Sequence, residues 1–162
     1  AIVQKVKQSG AEAVIYGGYH PEASKIVTLM RKKAMDIIFI SDDGVKDDTF
    51  IKVAGKFAEG VYATGPMDTS NNPLAIEAIN AHKAKYGEDP GAFFLNAYAA
   101  ALALINAIEK SCSTENDDIV KALRSEYVAT PLGILRFDEK GDATGVGFAV
   151  YQVQNGKYVE IK

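Results

Sequence analysis

The sequence predicts an α/β fold, a parallel sheet flanked by helices with an antiparallel hairpin at the C-terminal end. Three observations carry the prediction. Short apolar runs alternate with helical stretches through the first third of the chain, a spacing that demands right-handed βαβ units. The middle third reads as consecutive helices, and the last third alternates apolar and polar residues around Asn155-Gly156, the strongest short hairpin signal.

The elements follow in order. Ile2, Val3 and Val6 share a helical face that Gly10 can close in the left-handed conformation. Glu12 to Gly17 is a short apolar run of the buried parallel type, and Ile37 to Ile40 is a second. Between them, Pro21 and Glu22 mark a helix start, because free N–H groups in a first turn tolerate Pro and favour negative charge. That helix is expected to run to about Ala34, with Ile26, Val27, Met30 and Ala34 on one side. A shorter helix from about Asp47 to Gly55 leads to a third strand, Gly60 to Thr64. Asn72-Pro73 opens a helix closed by Gly87, and a nearly all-apolar buried helix spans about Ala92 to Lys110. A third begins at Ser113 or Thr114, where Thr114 and Asp117 have capping-box spacing. Val146, Phe148, Val150 and Gln152 then alternate ahead of the Asn155-Gly156 turn. A sheet of three parallel strands followed by helices and a hairpin closes poorly. With no N-cap or initiator Met ahead of the first helix, the chain is expected to be a piece of a longer protein, any targeting segment lying with the rest.

Composition narrows the function. The chain has 162 residues, 48% apolar and 24% charged, the size of one ordinary domain. Eighteen Lys and Arg against 21 Asp and Glu leave a formal charge of −3, so no basic field gathers phosphates and a nucleic-acid partner is not expected. The stretch Ala97–Ala107, interrupted by Asn106, is too short for a membrane span. Cys112 is the only cysteine, so no internal disulfide forms, and with His20 and His82 it makes no zinc spacing. Asp138, Glu139 and Asp142 surround Gly141 in a hairpin turn that fails the calcium-loop pattern. No nucleophile elbow, phosphate loop or dinucleotide glycine fingerprint is present. No cofactor is expected.

In an open parallel sheet, ligands sit outside the carboxyl ends of the strands. Two loops leave such ends here: Gly17-Gly18-Tyr19-His20-Pro21-Glu22 and Ser41-Asp42-Asp43-Gly44. One offers a ring, a glycine pair and a helix N-terminus; the other offers two adjacent carboxylates. An aromatic wall beside a carboxylate suits a small ligand with an apolar part and an ammonium. Each residue also has a plain structural role: Tyr19 can fill the sheet's rim, His20 can start the helix, and Asp42 or Asp43 can cap the next turn. Asp47 and Asp48 read as a helix start. A flavodoxin-like enzyme holding Mg²⁺ on Asp42 and Asp43 is the alternative from another class, although a third acidic residue at a strand end is not evident.

These residues resemble a known family. Gly17 to Glu22 directly after an apolar strand is similar to the second-lobe turn of the leucine/isoleucine/valine-binding proteins, type I periplasmic solute-binding proteins that feed ABC transporters. The similarity continues through Ile51 to Gly55, Ala58-Glu59-Gly60, Asp89 to Phe93, Tyr98-Ala99-Ala100, Gly133 to Phe137 and Asp138-Glu139-Lys140-Gly141-Asp142. It covers essentially the whole chain, in order. The resemblance implies a type I periplasmic-binding-protein lobe, incomplete here. Residues 1–64 would be the βαβ core of the second lobe, residues 65–130 the hinge crossing and helices of the first lobe, and residues 131–162 a hairpin recrossing to the second. It implies a non-enzymatic extracytoplasmic receptor, soluble in the periplasm or lipid-anchored. That receptor would close on a free branched-chain or related amino acid and deliver it to a membrane permease.

By the same resemblance, Tyr19 lines the pocket, and Asp43 stands where the family usually has a glutamate that accepts from the ligand's α-ammonium. Phe93 packs near the ligand side chain, and Gly18 and His20 complete the ligand-binding set. The shorter Asp43 reaches less far than glutamate, which leaves the preferred ligand open. A sensory or regulatory amino-acid- or amide-binding domain is a second reading on the same architecture. Uncovered sheet edges and an unpartnered apolar helix also predict a homodimer or strand exchange.

Overall fold

The computed structural model describes residues 1–161. It divides into two compact units, residues 1–65 together with those from 148 onward, and residues 66–147. The first unit opens with α1 (Ile2–Ser9), closed by Gly10 at φ 69°. It continues through β1 (Ala13–Tyr16), α2 (His20–Lys32), β2 (Ile38–Ser41), α3 (Asp48–Ala54) and β3 (Tyr62–Pro66). Strands β1, β2 and β3 are parallel neighbours: Tyr16 lies opposite Ser41, and Ser41 opposite Ala63. The Asp47 carboxylate accepts from Thr49 N–H at 2.7 Å, the cap that starts α3.

The second unit holds α4 (Pro73–Tyr86), α5 (Phe94–Ser111), α6 (Asn116–Ser125) and a small sheet of β4 (Val128–Thr130), β5 (Gly133–Phe137) and β6 (Ala143–Thr144). Asn72 caps α4 through Leu74 N–H, and its amide also donates to the Thr130 and Pro131 carbonyls. Helix α5 is not buried all round as its composition suggested. Ala99, Ala103 and Ala107, four residues apart, form its buried stripe, while Tyr98, Leu104 and Ile105 are exposed. The capping box expected of Thr114 and Asp117 does not form either. Glu115 is the N-cap of α6, without a side-chain hydrogen bond, and Ser113 Oγ accepts from the Glu115 N–H.

The chain ends in β7 (Phe148–Gln154) and β8 (Lys157–Ile161), joined by Asn155 and Gly156 at φ 52° and 73°. Positive φ at both turn residues matches the twist of a two-residue hairpin. Both Glu59 oxygens cap this turn, accepting from the Asn155 and Gly156 N–H groups at 3.0 and 2.7 Å. The hairpin joins the first unit's sheet in the order β1-β2-β3-β7-β8. At the junction Gly60 N–H donates to Val153 O and Val153 N–H donates to Val61 O. Two residues thus oppose one across antiparallel strands, with Gly60 at φ 75° supplying the backbone that such a bulge needs.

Among the described residues of this unit, helices cover one face of the sheet. Val3, Ala23, Val27, Met30, Phe50 and Ala54 from the helices pack with Phe39 and Val153 from the strands and with Val61 just before β3. Two sequence expectations are corrected by this. The first two strands alternate instead of being buried on both faces: Phe39 is 0% exposed, but Ile38 is 52% and Ile15, on the edge strand, 85%. The helical stripe also differs, because α2 stops at Lys32 and Ala34 turns into the left-handed region at φ 54°, exposed. Phe39 sits at the centre of the packed face, so Phe39→Ala should lower the unfolding free energy by about 3–5 kcal/mol, read by urea denaturation.

Candidate functional site

The register of β1 on β2 brings their carboxyl ends level, and Ser41 Oγ ties them by donating to the Tyr16 carbonyl at 2.9 Å. Both following loops therefore open on one edge. The first passes Gly17 and Gly18 to Tyr19, whose carbonyl accepts from Ala23 N–H as α2 begins at His20. The second is a 3-10 turn, Asp43–Val45, capped by Asp42.

Contact between the loops is close. A Cβ at Gly44 would lie 2.5 Å from the Gly18 carbonyl oxygen and 3.1 Å from the Tyr19 ring, so only a hydrogen at this position lets the loops meet. A Cβ at Gly18 would lie 2.6 Å from the Tyr16 hydroxyl, which props the first loop from beneath. Burial pushes the Tyr16 phenol above its ordinary range, and the Glu22 and Asp42 carboxylates add to that.

The two neighbouring carboxylates, indistinguishable in sequence, are separated by this geometry. Asp42 is committed to structure: its Oδ1 accepts from Gly44 N–H at 3.3 Å and so caps the turn. Among the described residues, no hydrogen bond or ion pair engages the Asp43 carboxylate, which is half-buried. Tyr19 is 62% exposed. The rim thus presents a broad ring, an uncommitted anion and the half-buried backbone of Gly18. Together these can meet an ammonium and an apolar chain. No group of three or more His, Cys, Asp or Glu residues is placed to hold a metal ion among the described residues.

The structure brings Tyr19, Gly18 and the Asp43 turn onto one rim of the first unit. His20 stands there as the first residue of α2, half-buried. Phe93 belongs to the second unit, 43% exposed, immediately before α5. Sequence reasoning missed two residues that support the rim. Tyr16 reads as part of an apolar run, and Tyr158 as one residue of the strand that follows the Asn155-Gly156 turn. Nothing in either segment announces that the Tyr16 hydroxyl lies against Gly18 or that the Tyr158 hydroxyl donates to the Val45 carbonyl.

Comparison with known proteins adds an independent line. The sequence pattern described as periplasmic binding protein matches residues 1–157. A leucine-, isoleucine-, valine-, threonine- and alanine-binding protein of Pseudomonas aeruginosa is 35% identical over 152 residues, covering 94% of this chain and 41% of that protein. The Leu/Ile/Val-binding protein of Escherichia coli K12 is 33% identical over 150 residues, covering 93% of this chain and 40% of the relative. The crystal structure of a leucine-binding protein from Thermotoga maritima superposes with a TM-score of 0.83 at 26% identity, covering 99% of this chain and 47% of that one. The chain therefore spans less than half the length of the relatives it matches. No helix among the described residues is long and apolar enough to cross a membrane.

The Gly44 contact can be tested directly. Gly44→Ala should force the two loops apart and destabilise the protein by about 1–3 kcal/mol, measured as a fall in Tm. A variant as stable as the parent would show that the loops part without resistance.

Proposed function

Because the chain belongs to the periplasmic binding protein family, we propose that it carries half of the ligand-binding jaw of an extracytoplasmic receptor for a free amino acid. The observation that carries the proposal is the uncommitted Asp43 carboxylate on the same rim as the exposed Tyr19 ring. In this reading Asp43 accepts hydrogen bonds from the ligand's α-ammonium, and Tyr19 covers the ligand's apolar part. Gly18 lets the ligand approach backbone, and His20 borders the opening at the start of α2.

The relatives' names speak of leucine, isoleucine and valine, and in one case also threonine and alanine, so the proposed ligand is a branched-chain or related aliphatic amino acid. The receptor binds and releases it without chemistry and hands it to the membrane permease of an ABC transporter. The site of action is outside the cytoplasm.

Three measurements bear on this. L-leucine titrated into the chain and followed by NMR should bind more weakly than micromolar, with shifts at the Tyr19 and Gly44 amides. Asp43→Asn should weaken that binding about tenfold or more, as expected for a charge-assisted hydrogen bond, whereas Asp42→Asn should act on the turn's stability. Binding unchanged by Asp43→Asn would overturn the role given to this carboxylate.

The uncovered sheet face bears on self-association. Ile15, Ile38, Ile40, Val150, Val159 and Ile161 are all exposed, an apolar set that a second copy would cover. Sedimentation should detect dimers of the chain at high concentration, and Ile15→Lys with Ile38→Lys should restore the monomer. A parent chain that stays monomeric would refute self-association.

A further inference from the structure

The turn that carries Asp43 is held from outside its own loop. Within it, Lys46 N–H donates to the Asp43 carbonyl at 3.1 Å and Asp47 N–H to the Val45 carbonyl at 2.7 Å. Three residues in a 3-10 turn form few bonds of their own, and poor hydrogen-bond geometry keeps such turns short. Two side chains of the C-terminal hairpin reach it. The Tyr158 hydroxyl, on β8 and 113 residues away in sequence, donates to the Val45 carbonyl at 2.5 Å. The Tyr151 ring, on β7, receives the Lys46 ammonium 4.1 Å from its centroid. The stem of Lys46 lies directly over Gly65 of β3, where a Cβ would collide with Lys46 Cδ. The turn is thereby pinned at the carbonyl of Val45, itself fully buried, and at Lys46 beside it.

We propose that the C-terminal hairpin sets the position of the Asp43 carboxylate, with Tyr158 as the positioning residue and Tyr151 as a second hold through Lys46. The inference deepens the reading of Asp43 as the ammonium acceptor and rests on it. A carboxylate must be held within a fraction of an ångström to meet an ammonium productively, and a short surface turn does not supply that constraint alone. Tyr158 is suited to a permanent tether. Burial raises its phenol well above the ordinary value, so it stays neutral and able to donate throughout the physiological range. Because the hairpin is anchored at its own tip by Glu59, the hold runs from the Asn155-Gly156 turn through β8 to the rim.

The test uses the ¹⁵N-labelled 162-residue chain with Tyr158→Phe, which keeps the ring and removes the donor, beside Asp43→Asn. Amide hydrogen exchange reads the turn, and an NMR titration with L-leucine reads the site. In Tyr158→Phe the Lys46 and Asp47 amides should exchange about tenfold faster while the Phe39 amide is unchanged, and L-leucine should bind about three- to tenfold more weakly. In Asp43→Asn binding should fall with no change in exchange at Lys46 and Asp47. If Tyr158→Phe leaves both exchange and binding at parental values, the positioning role is overturned. Faster exchange spread evenly over the sheet would also overturn it, as a sign of general destabilisation. Faster exchange confined to the turn, with L-leucine binding indifferent to Asp43→Asn, keeps the tether and sinks the assigned role of Asp43. If Tyr158→Phe unfolds, Lys46→Met tests the second hold by the same two readouts.

Discussion

The candidate site depends on one close approach, that of Gly44 to the Gly18 carbonyl and the Tyr19 ring. Two turns that leave adjacent parallel strands can share a rim only if their backbones come within contact distance. A side chain at Gly44 would prevent this. From that contact the rest of the site follows. Asp42 turns back to cap the 3-10 turn, and the neighbouring Asp43 is left without a structural task. The ring of Tyr19 stays exposed beside it. Among the described residues the Asp43 carboxylate has no hydrogen-bond or ion-pair partner, so its hydrogen-bonding capacity is left open.

Support for the rim comes from elements far apart in sequence. Ser41 joins the ends of β1 and β2, Tyr16 lies beneath Gly18, and the hairpin's two tyrosines hold the turn around Val45. These are hydrogen bonds and ring contacts that lock rotamers, not large areas of buried apolar surface. They add modestly to stability individually, but each removes freedom from a group that must be in place before a ligand binds. Apolar burial, by contrast, is concentrated on the helix-covered face around Phe39 and Phe50, both at 0% exposure. The opposite face carries isoleucine and valine to the surface. A sheet with parallel strands ordinarily has both faces covered by other elements.

The outline of the fold was legible in the chain because its signals are local. Gly10 and Gly87 close helices in the left-handed region, Asn72-Pro73 opens one, and Asn155-Gly156 turns the hairpin. Each depends on a few neighbouring residues and on backbone sterics. Where reading failed, the missing quantity was the environment. Apolar runs at Ile15 and Ile38 looked buried on both faces, since composition cannot say whether a second layer of helices exists. The α5 segment looked buried all round, because small alanines and large exposed apolar residues count alike until a packing partner selects the alanine stripe. Thr114 and Asp117 had the spacing of a capping box, but the local chain path made Glu115 the first capping position.

The same division holds for the site. Sequence alone determined that a ring and a pair of acids follow two parallel strands, and hence that they belong to one edge of the sheet. Right-handed βαβ connection leaves few other arrangements. Only the tertiary structure decided which acid is spent on a cap and which is left over, because that choice turns on a 3.3 Å hydrogen bond to Gly44. Only it could disclose that Tyr158, 113 residues beyond Val45, reaches back to the same turn. Long-range contacts of this kind are set by strand order and register. A run of residues does not contain that information until the sheet has closed around it.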